Sequence, residues 1–137
     1  MPRVQLALNV GDLEAAVDFY RRLFGADPAK LRPGYANFAV AQPPLKLVLI
    51  ENGGTPGTVN HLGVEVEDSA AVAAATARLQ GEGLATDVEE QVRCCYALQD
   101  KVWVRDPDGA RWEVYTVLDD APEACASPAD CCATATS

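Results

Sequence analysis

His61 is the only histidine in this chain of 137 residues, and it stands at the head of a strand-like alternation, Asn60-His61-Leu62-Gly63-Val64-Glu65-Val66-Glu67-Asp68. The same pattern occurs earlier. Moved back fifty-six positions (61 − 5), His61 to Asp68 lies over Gln5 to Asp12, and an amphipathic helix pattern follows each copy. Gln5 is therefore the counterpart of His61. A third residue joins them through the second half of each repeat. The stretch Val102 to Tyr115, turning at Asp106-Pro107-Asp108-Gly109, matches Asn37 to Ile50 and sets Glu113 opposite Val48. Period-two alternation puts Glu113 on the face of Arg111 and Tyr115, away from Trp112 and Val114. A neutral amide oxygen, an imidazole and a carboxylate on three strands can meet if the two halves curl together. That set suits a divalent iron with open positions, a facial triad in which an amide replaces one histidine. Singly, such residues are more often a structural histidine and solvated polar side chains; the repeat is what gives them equivalent places.

Cys94 and Cys95 form the second constellation, within Arg93-Cys94-Cys95-Tyr96-Ala97-Leu98-Gln99-Asp100-Lys101. Successive strand side chains point to opposite faces, so two adjacent thiols converge only where the backbone turns, and a turn is predicted here. Neighbouring α-carbons are about 3.8 Å apart, under the roughly 4.4 Å usual for a disulfide, so a bond between the two sulfurs would be strained. A large soft atom bridges them with less distortion, which points to trivalent arsenic or cadmium. The alternative, that one cysteine is a small core residue, stays open at this point.

The elements that must position these residues are legible in outline. Val4 to Val10 is a predicted strand, Asp12 caps a helix with apolar positions Leu13, Ala16, Val17, Tyr20, Leu23 and Phe24, and Gly25 ends it. Strands are predicted over Tyr35 to Val40 and Leu45 to Glu51, and Asn52 to Thr58 is a link. The second half predicts a helix over Ser69 to Gln80 facing inward through Val72, Ala75 and Leu79, a short strand over Ala85 to Glu90, and the closing hairpin. The expected architecture is α+β: two βαβββ modules in tandem, residues 1–52 and 60–118, forming a curved mixed sheet around a metal site in one domain over 1–118. Residues 119–137, rich in Ala, Ser, Thr, Pro and Asp and holding Cys125, Cys131 and Cys132, are expected to be a disordered tail.

Apolar residues make up 49% of the chain, enough for one substantial core. Twenty acidic residues against eleven basic, a net charge of −9 with the basic residues scattered, argue against nucleic acid and anionic membranes as partners. No basic and apolar leader and no membrane-length apolar run are present, so a cytoplasmic protein is expected; five cysteines, an odd number, are expected to be reduced thiols.

Several stretches carry a specific resemblance. Val4-Gln5-Leu6-Ala7-Leu8, Arg32-Pro33-Gly34-Tyr35-Ala36-Asn37-Phe38, Pro43-Pro44-Leu45-Lys46-Leu47-Val48-Leu49, His61-Leu62-Gly63-Val64-Glu65 and Cys94 to Val104 resemble the cadmium-induced protein and organoarsenical carbon-arsenic lyase family of the vicinal oxygen chelate superfamily, over residues 3 to about 118. The resemblance implies a glyoxalase- and extradiol-dioxygenase-like fold and an iron(II)-dependent, dioxygenase-like lyase. Such an enzyme uses molecular oxygen to cleave the carbon-arsenic bond of a trivalent organoarsenical, giving arsenite. Gln5, His61 and Glu113 match the iron ligands at the catalytic centre, and Cys94 with Cys95 matches the thiol pair that captures arsenic. Tyr96 and Lys101, near the thiols in sequence, are candidates to line a lid over the substrate, with Lys101 favouring thiolate. The family is compatible with a monomer or a homodimer. Two other readings remain: a cadmium- or arsenic-sequestering protein that needs only thiols, and a sister chemistry of the superfamily. Val48, which cannot abstract a proton, argues against glyoxalase-type isomerisation, and extradiol ring cleavage has no use for Cys94 and Cys95.

Overall fold

In a computed structural model, residues 2–121 are described. Each module folds as the repeat predicts. The first runs β1 (Arg3–Val10), α1 (Leu13–Phe24), β2 (Lys30–Arg32), β3 (Tyr35–Val40) and β4 (Leu45–Glu51). The second runs β5 (Val59–Glu65), α2 (Ser69–Gly81), β6 (Asp87–Cys94), β7 (Ala97–Arg105) and β8 (Arg111–Asp120). All strands join one curled eight-stranded sheet in the order β2-β3-β4-β1-β5-β8-β7-β6. Within each half the order is the same, because β1 pairs in parallel with β4 as β5 does with β8, and the halves meet where β1 runs antiparallel to β5.

That central pairing makes the repeat a two-fold relation. Gln5 pairs with Gly63 and Ala7 with His61, so moving Gln5 forward and Gly63 back by fifty-six positions yields the other pair (5 + 56 = 61, 63 − 56 = 7). On the outer strands Ala7 neighbours Val48 and Gly63 neighbours Glu113, which is the equivalence of Val48 and Glu113 expected from the hairpin match.

Alternation divides the first module into two faces. Leu47, Leu49, Ala36, Phe38 and Val40 are buried against α1 through Leu13, Ala16, Val17, Tyr20 and Phe24. Leu47, Leu49 and Phe38 are each at most 1% exposed, and each such side chain contributes roughly 1.5–3 kcal/mol by burial. Leu23 departs from the expected inward face and is exposed; it falls on the outer side of the helix. Asp12 caps α1 by accepting from Ala15 N at 3.1 Å, and Gly25 ends it in the left-handed region at φ 65°. Helix α2 packs on β7 and β8 and buries Val72 and Ala75. The opposite, concave face carries the candidate residues.

Strands β6 and β7 are longer than predicted. β6 continues to Cys94 and β7 starts at Ala97, so Cys95 and Tyr96 alone form the connection. β8 runs on to Asp120; the rest of the segment expected to lack structure, with Cys125, Cys131 and Cys132, lies outside the described residues. No helix among the described residues is long and apolar enough to cross a membrane.

Candidate metal centre and thiol pair

Gln5, His61 and Glu113 converge at the middle of the sheet, each at most 3% exposed. Gln5 and Glu113 flank Gly63 from β1 and β8, and His61 stands one inward position along β5. Glu113 Oε2 accepts from Gln5 Nε2 at 2.6 Å and lies 3.0 Å from His61 Nε2; the two nitrogens are 3.3 Å apart. The close approach depends on Gly63. A Cβ there would lie 2.9 Å from Glu113 Cγ and 3.0 Å from both Gln5 Nε2 and Glu113 O.

Residues that the sequence did not single out hold these three in place. Asn60 Nδ2 donates to Asn9 Oδ1 at 3.0 Å, which leaves Asn60 Oδ1 as an acceptor, 2.8 Å from His61 Nδ1 and 3.2 Å from Arg111 Nη2. His61 Nδ1–H therefore donates to Asn60 Oδ1, and Nε2 is turned to the Glu113 carboxylate. The ring edge also meets Trp103, centroids 5.4 Å apart. Lys101 Nζ lies 2.8 Å from Glu113 Oε1 in a buried ion pair. Burial opposes the charge of Glu113, but Lys101 and His61 beside it prevail and hold its carboxyl well below the usual range. Burial likewise opposes the charge of Lys101, and Glu113 raises its pKa in spite of it. Lys101 thus serves the carboxylate of the centre; the expected place on a lid is not where it sits, since it is 1% exposed beneath the concave surface.

This constellation fits a divalent metal. Two lone-pair groups, His61 Nε2 and Glu113 Oε2, face each other at 3.0 Å, an arrangement that needs either a proton or a cation. Tyr115 points the same way. Its single hydroxyl proton faces two acceptors, Gln5 Oε1 at 2.7 Å and Glu65 Oε1 at 3.0 Å. Burial first, then Glu113 and Glu65, keep the phenol protonated. If the Gln5 amide turns over, Nε2 donates to Tyr115, Tyr115 donates to Glu65, and Oε1 faces the centre. A cation there makes that orientation favourable beside Glu113. Among the described residues no three His, Cys, Asp or Glu side chains cluster for a metal, so a three-residue set depends on this amide. Tyr115→Phe is expected to weaken divalent-metal binding about 10- to 100-fold, measured by chelator competition, because the amide loses its orienting partner. An unchanged dissociation constant would refute the role.

The chain turns where predicted, with Cys94 as the last residue of β6 and Cys95 in the turn. Cys94 pairs with Ala97, and Cys95 and Tyr96 take φ 54° and 61°, the left-handed conformation of a two-residue hairpin turn. Neither residue favours it, and the cost is about 1–2 kcal/mol each. Anchors offset that cost: Gln99 Nε2 donates to Cys94 O at 2.8 Å, and Tyr96 O accepts from Lys30 Nζ at 2.9 Å and Ala121 N at 3.0 Å. The Tyr96 hydroxyl donates to Pro33 O at 3.2 Å and its ring leans on Tyr35. The two sulfurs are 3.4 Å apart, far beyond the ~2.05 Å of an S–S bond. Cys94 is buried in a cluster with Ala7, Tyr35, Val48 and Ile50, against which Cys95 and Tyr96 pack. Cys95 is disulfide-bonded, against the expectation of reduced cysteines, whereas Cys94 is in no disulfide. The cluster shares the concave face with the centre: Ala7 is the strand partner of His61.

A single curled sheet of two βαβββ modules with a polar constellation at their junction defines a class, and the profile of the Glyoxalase/Bleomycin resistance protein/Dioxygenase superfamily matches residues 3–114; the chain belongs to that superfamily. Among its relatives, a "Cadmium-induced protein CadI" of Mycobacterium tuberculosis is 67% identical over 88% of this chain and 80% of its own. A "Trivalent organoarsenical cleaving enzyme" of Thermomonospora curvata is 59% identical over 95% of this chain and 91% of its own. Of solved structures, the 2,3-dioxygenase LapB from Pseudomonas sp. KL28 superposes with a TM-score of 0.64 at 20% identity, covering 89% of this chain and 46% of that one. That likeness concerns the fold alone, and it agrees with the expected extradiol-dioxygenase-like architecture.

Proposed function

We propose that the protein cleaves the carbon-arsenic bond of trivalent organoarsenicals, releasing arsenite, with iron(II) held by Gln5 Oε1, His61 Nε2 and Glu113 and molecular oxygen as co-substrate. The observation that carries this reading is the shared concave face: the thiol turn packs on Ala7, the strand partner of His61, and on Val48 beside Ala7. The organoarsenical-cleaving relative supports the substrate class.

In this reading Cys94 and Cys95, both reduced, hold the arsenic as a dithiolate and so present its organic substituent to the centre, which is catalysis by positioning. When bound, iron(II) supplies the oxygen activation that the side chains lack. Asn60 fixes the His61 tautomer, Tyr115 fixes the Gln5 amide, and Lys101 keeps Glu113 ionised. Trp103 walls the His61 side of the centre against water.

The test is arsenite release and oxygen uptake when reduced, iron(II)-loaded protein meets a trivalent methyl- or phenylarsenical and then air. Wild type is expected to turn over, whereas His61→Ala and the double Cys94→Ser, Cys95→Ser variant are expected to lose release by at least 10²-fold, each lacking one constellation. Stoichiometric arsenical binding with no arsenite from any divalent-metal form would sink the lyase.

The cadmium-induced relative favours one other reading, sequestration of soft metal ions by thiols. Removing the residues after Ala121 discriminates the two. A lyase keeps its turnover; a sequestering protein that uses Cys125, Cys131 and Cys132 loses cadmium stoichiometry.

A further inference from the structure

A cavity of about 200 Å³ opens on the concave face, lined by Arg3, Lys30, Asn37, Lys46, Glu65 and Cys95 among others. Lys46 is the strand neighbour of Gln5, and Cys95 belongs to the thiol pair, so the cavity adjoins both constellations. Its charge is unusual for a chain of net charge −9. Lys30 is answered by Asp120 at 2.8 Å, but Glu65 is shared by Arg3 at 3.2 Å and Lys46 at 3.4 Å and also accepts from Tyr115. Three cations meet two carboxylates among the described residues, which leaves one positive charge over. Lys46 is the poorly served member: its side chain is 11% exposed and its counter-ion is the most distant. Burial pulls its pKa down, against Glu65. A desolvated cation with a shared partner gains from an anion brought by a ligand. The volume is below the roughly 300–1,000 Å³ of pockets for drug-sized ligands, so the occupant is a single ring.

We propose that this cavity selects the organic substituent of the substrate and accepts an aryl ring bearing a carboxylate, which Lys46 and Arg3 receive while Cys95, with Cys94, holds the arsenic. The inference rests on the arsenical reading above. It deepens that reading by naming the substituent.

The test compares the trivalent 4-carboxyphenyl arsenical with its neutral 4-methylphenyl counterpart. Binding is measured by tryptophan fluorescence on reduced, metal-free protein, and arsenite release on the iron(II)-loaded protein in air. Wild type is expected to bind the carboxylate about tenfold more tightly, the factor of one charge-assisted hydrogen bond, and to lose most of that preference in 1 M salt. Lys46→Met is expected to bring the ratio of the two affinities to about one, Lys46→Arg to keep it, and Arg3→Gln, at the more exposed end, to lower it in part. A ratio of one in wild type, or a ratio unchanged in Lys46→Met, overturns the proposal. If both arsenicals bind with the expected preference and neither releases arsenite, the cavity keeps its role and the lyase reading falls. If neither binds, both fall.

Discussion

Lys101→Met is expected to cost the metal-free protein about 3–5 kcal/mol of stability, because it strands the Glu113 carboxylate in the interior without its cation. Both partners are buried, at 1% and 3% side-chain exposure and 2.8 Å apart, so water cannot take over the role of the ammonium. Chemical denaturation of the metal-free variant measures the loss. Two companion results locate its cause. Lys101→Met with Glu113→Gln should recover most of the stability, since the uncompensated charge is then gone. A saturating divalent metal should restore Lys101→Met by more than it stabilises wild type, since the metal supplies positive charge at the same carboxylate. A loss below about 1 kcal/mol would mean that the ion pair contributes no more than an exposed one.

Gly63→Ala is expected to abolish divalent-metal binding, with a loss of at least 10²-fold, and to destabilise the fold by about 1–3 kcal/mol. The added methyl meets Glu113 Cγ at 2.9 Å and Glu113 O and Gln5 Nε2 at 3.0 Å, and the backbone oxygen belongs to a paired strand that cannot withdraw. Glu113 and Gln5 must then swing apart, and two of the three candidate ligands leave the centre. The two-fold relation explains why alanine is tolerated at the equivalent position. Ala7 faces apolar Val48, which packs on a methyl group, where Gly63 faces a carboxylate that must lean across it. Chelator competition and a denaturation curve on the same preparation test both halves. Metal affinity within a few-fold of wild type would show that the centre does not need this close approach.

The structure bears on the remaining sequence expectations residue by residue. Tyr96 was legible as a neighbour of the thiols, but its left-handed backbone was not, because a Cys-Tyr turn lacks the Asn-Gly signature of such hairpins. Lys101 was read by its proximity in sequence to Cys94; alternation along β7 turns it inward, and the register with β8 brings it to Glu113. Asn60, Tyr115 and Trp103 left no signal of their own. Each acts through a neighbour on another strand, as Asn60 does through the His61 ring.

By itself the sequence determined the two-module plan, the equivalence of Gln5 with His61 and of Val48 with Glu113, and the turn at Cys94-Cys95. These follow from period-two and helical spacing within each half, which are local properties of the chain. Only the tertiary structure decided that β1 meets β5 antiparallel, that Gly63 lets Gln5 and Glu113 close over it, and that Lys101 neutralises the carboxylate. Those outcomes depend on pairing between strands as distant as 5 and 113. Such contacts are set by packing and by the cost of burying unpaired charge, which no local pattern encodes.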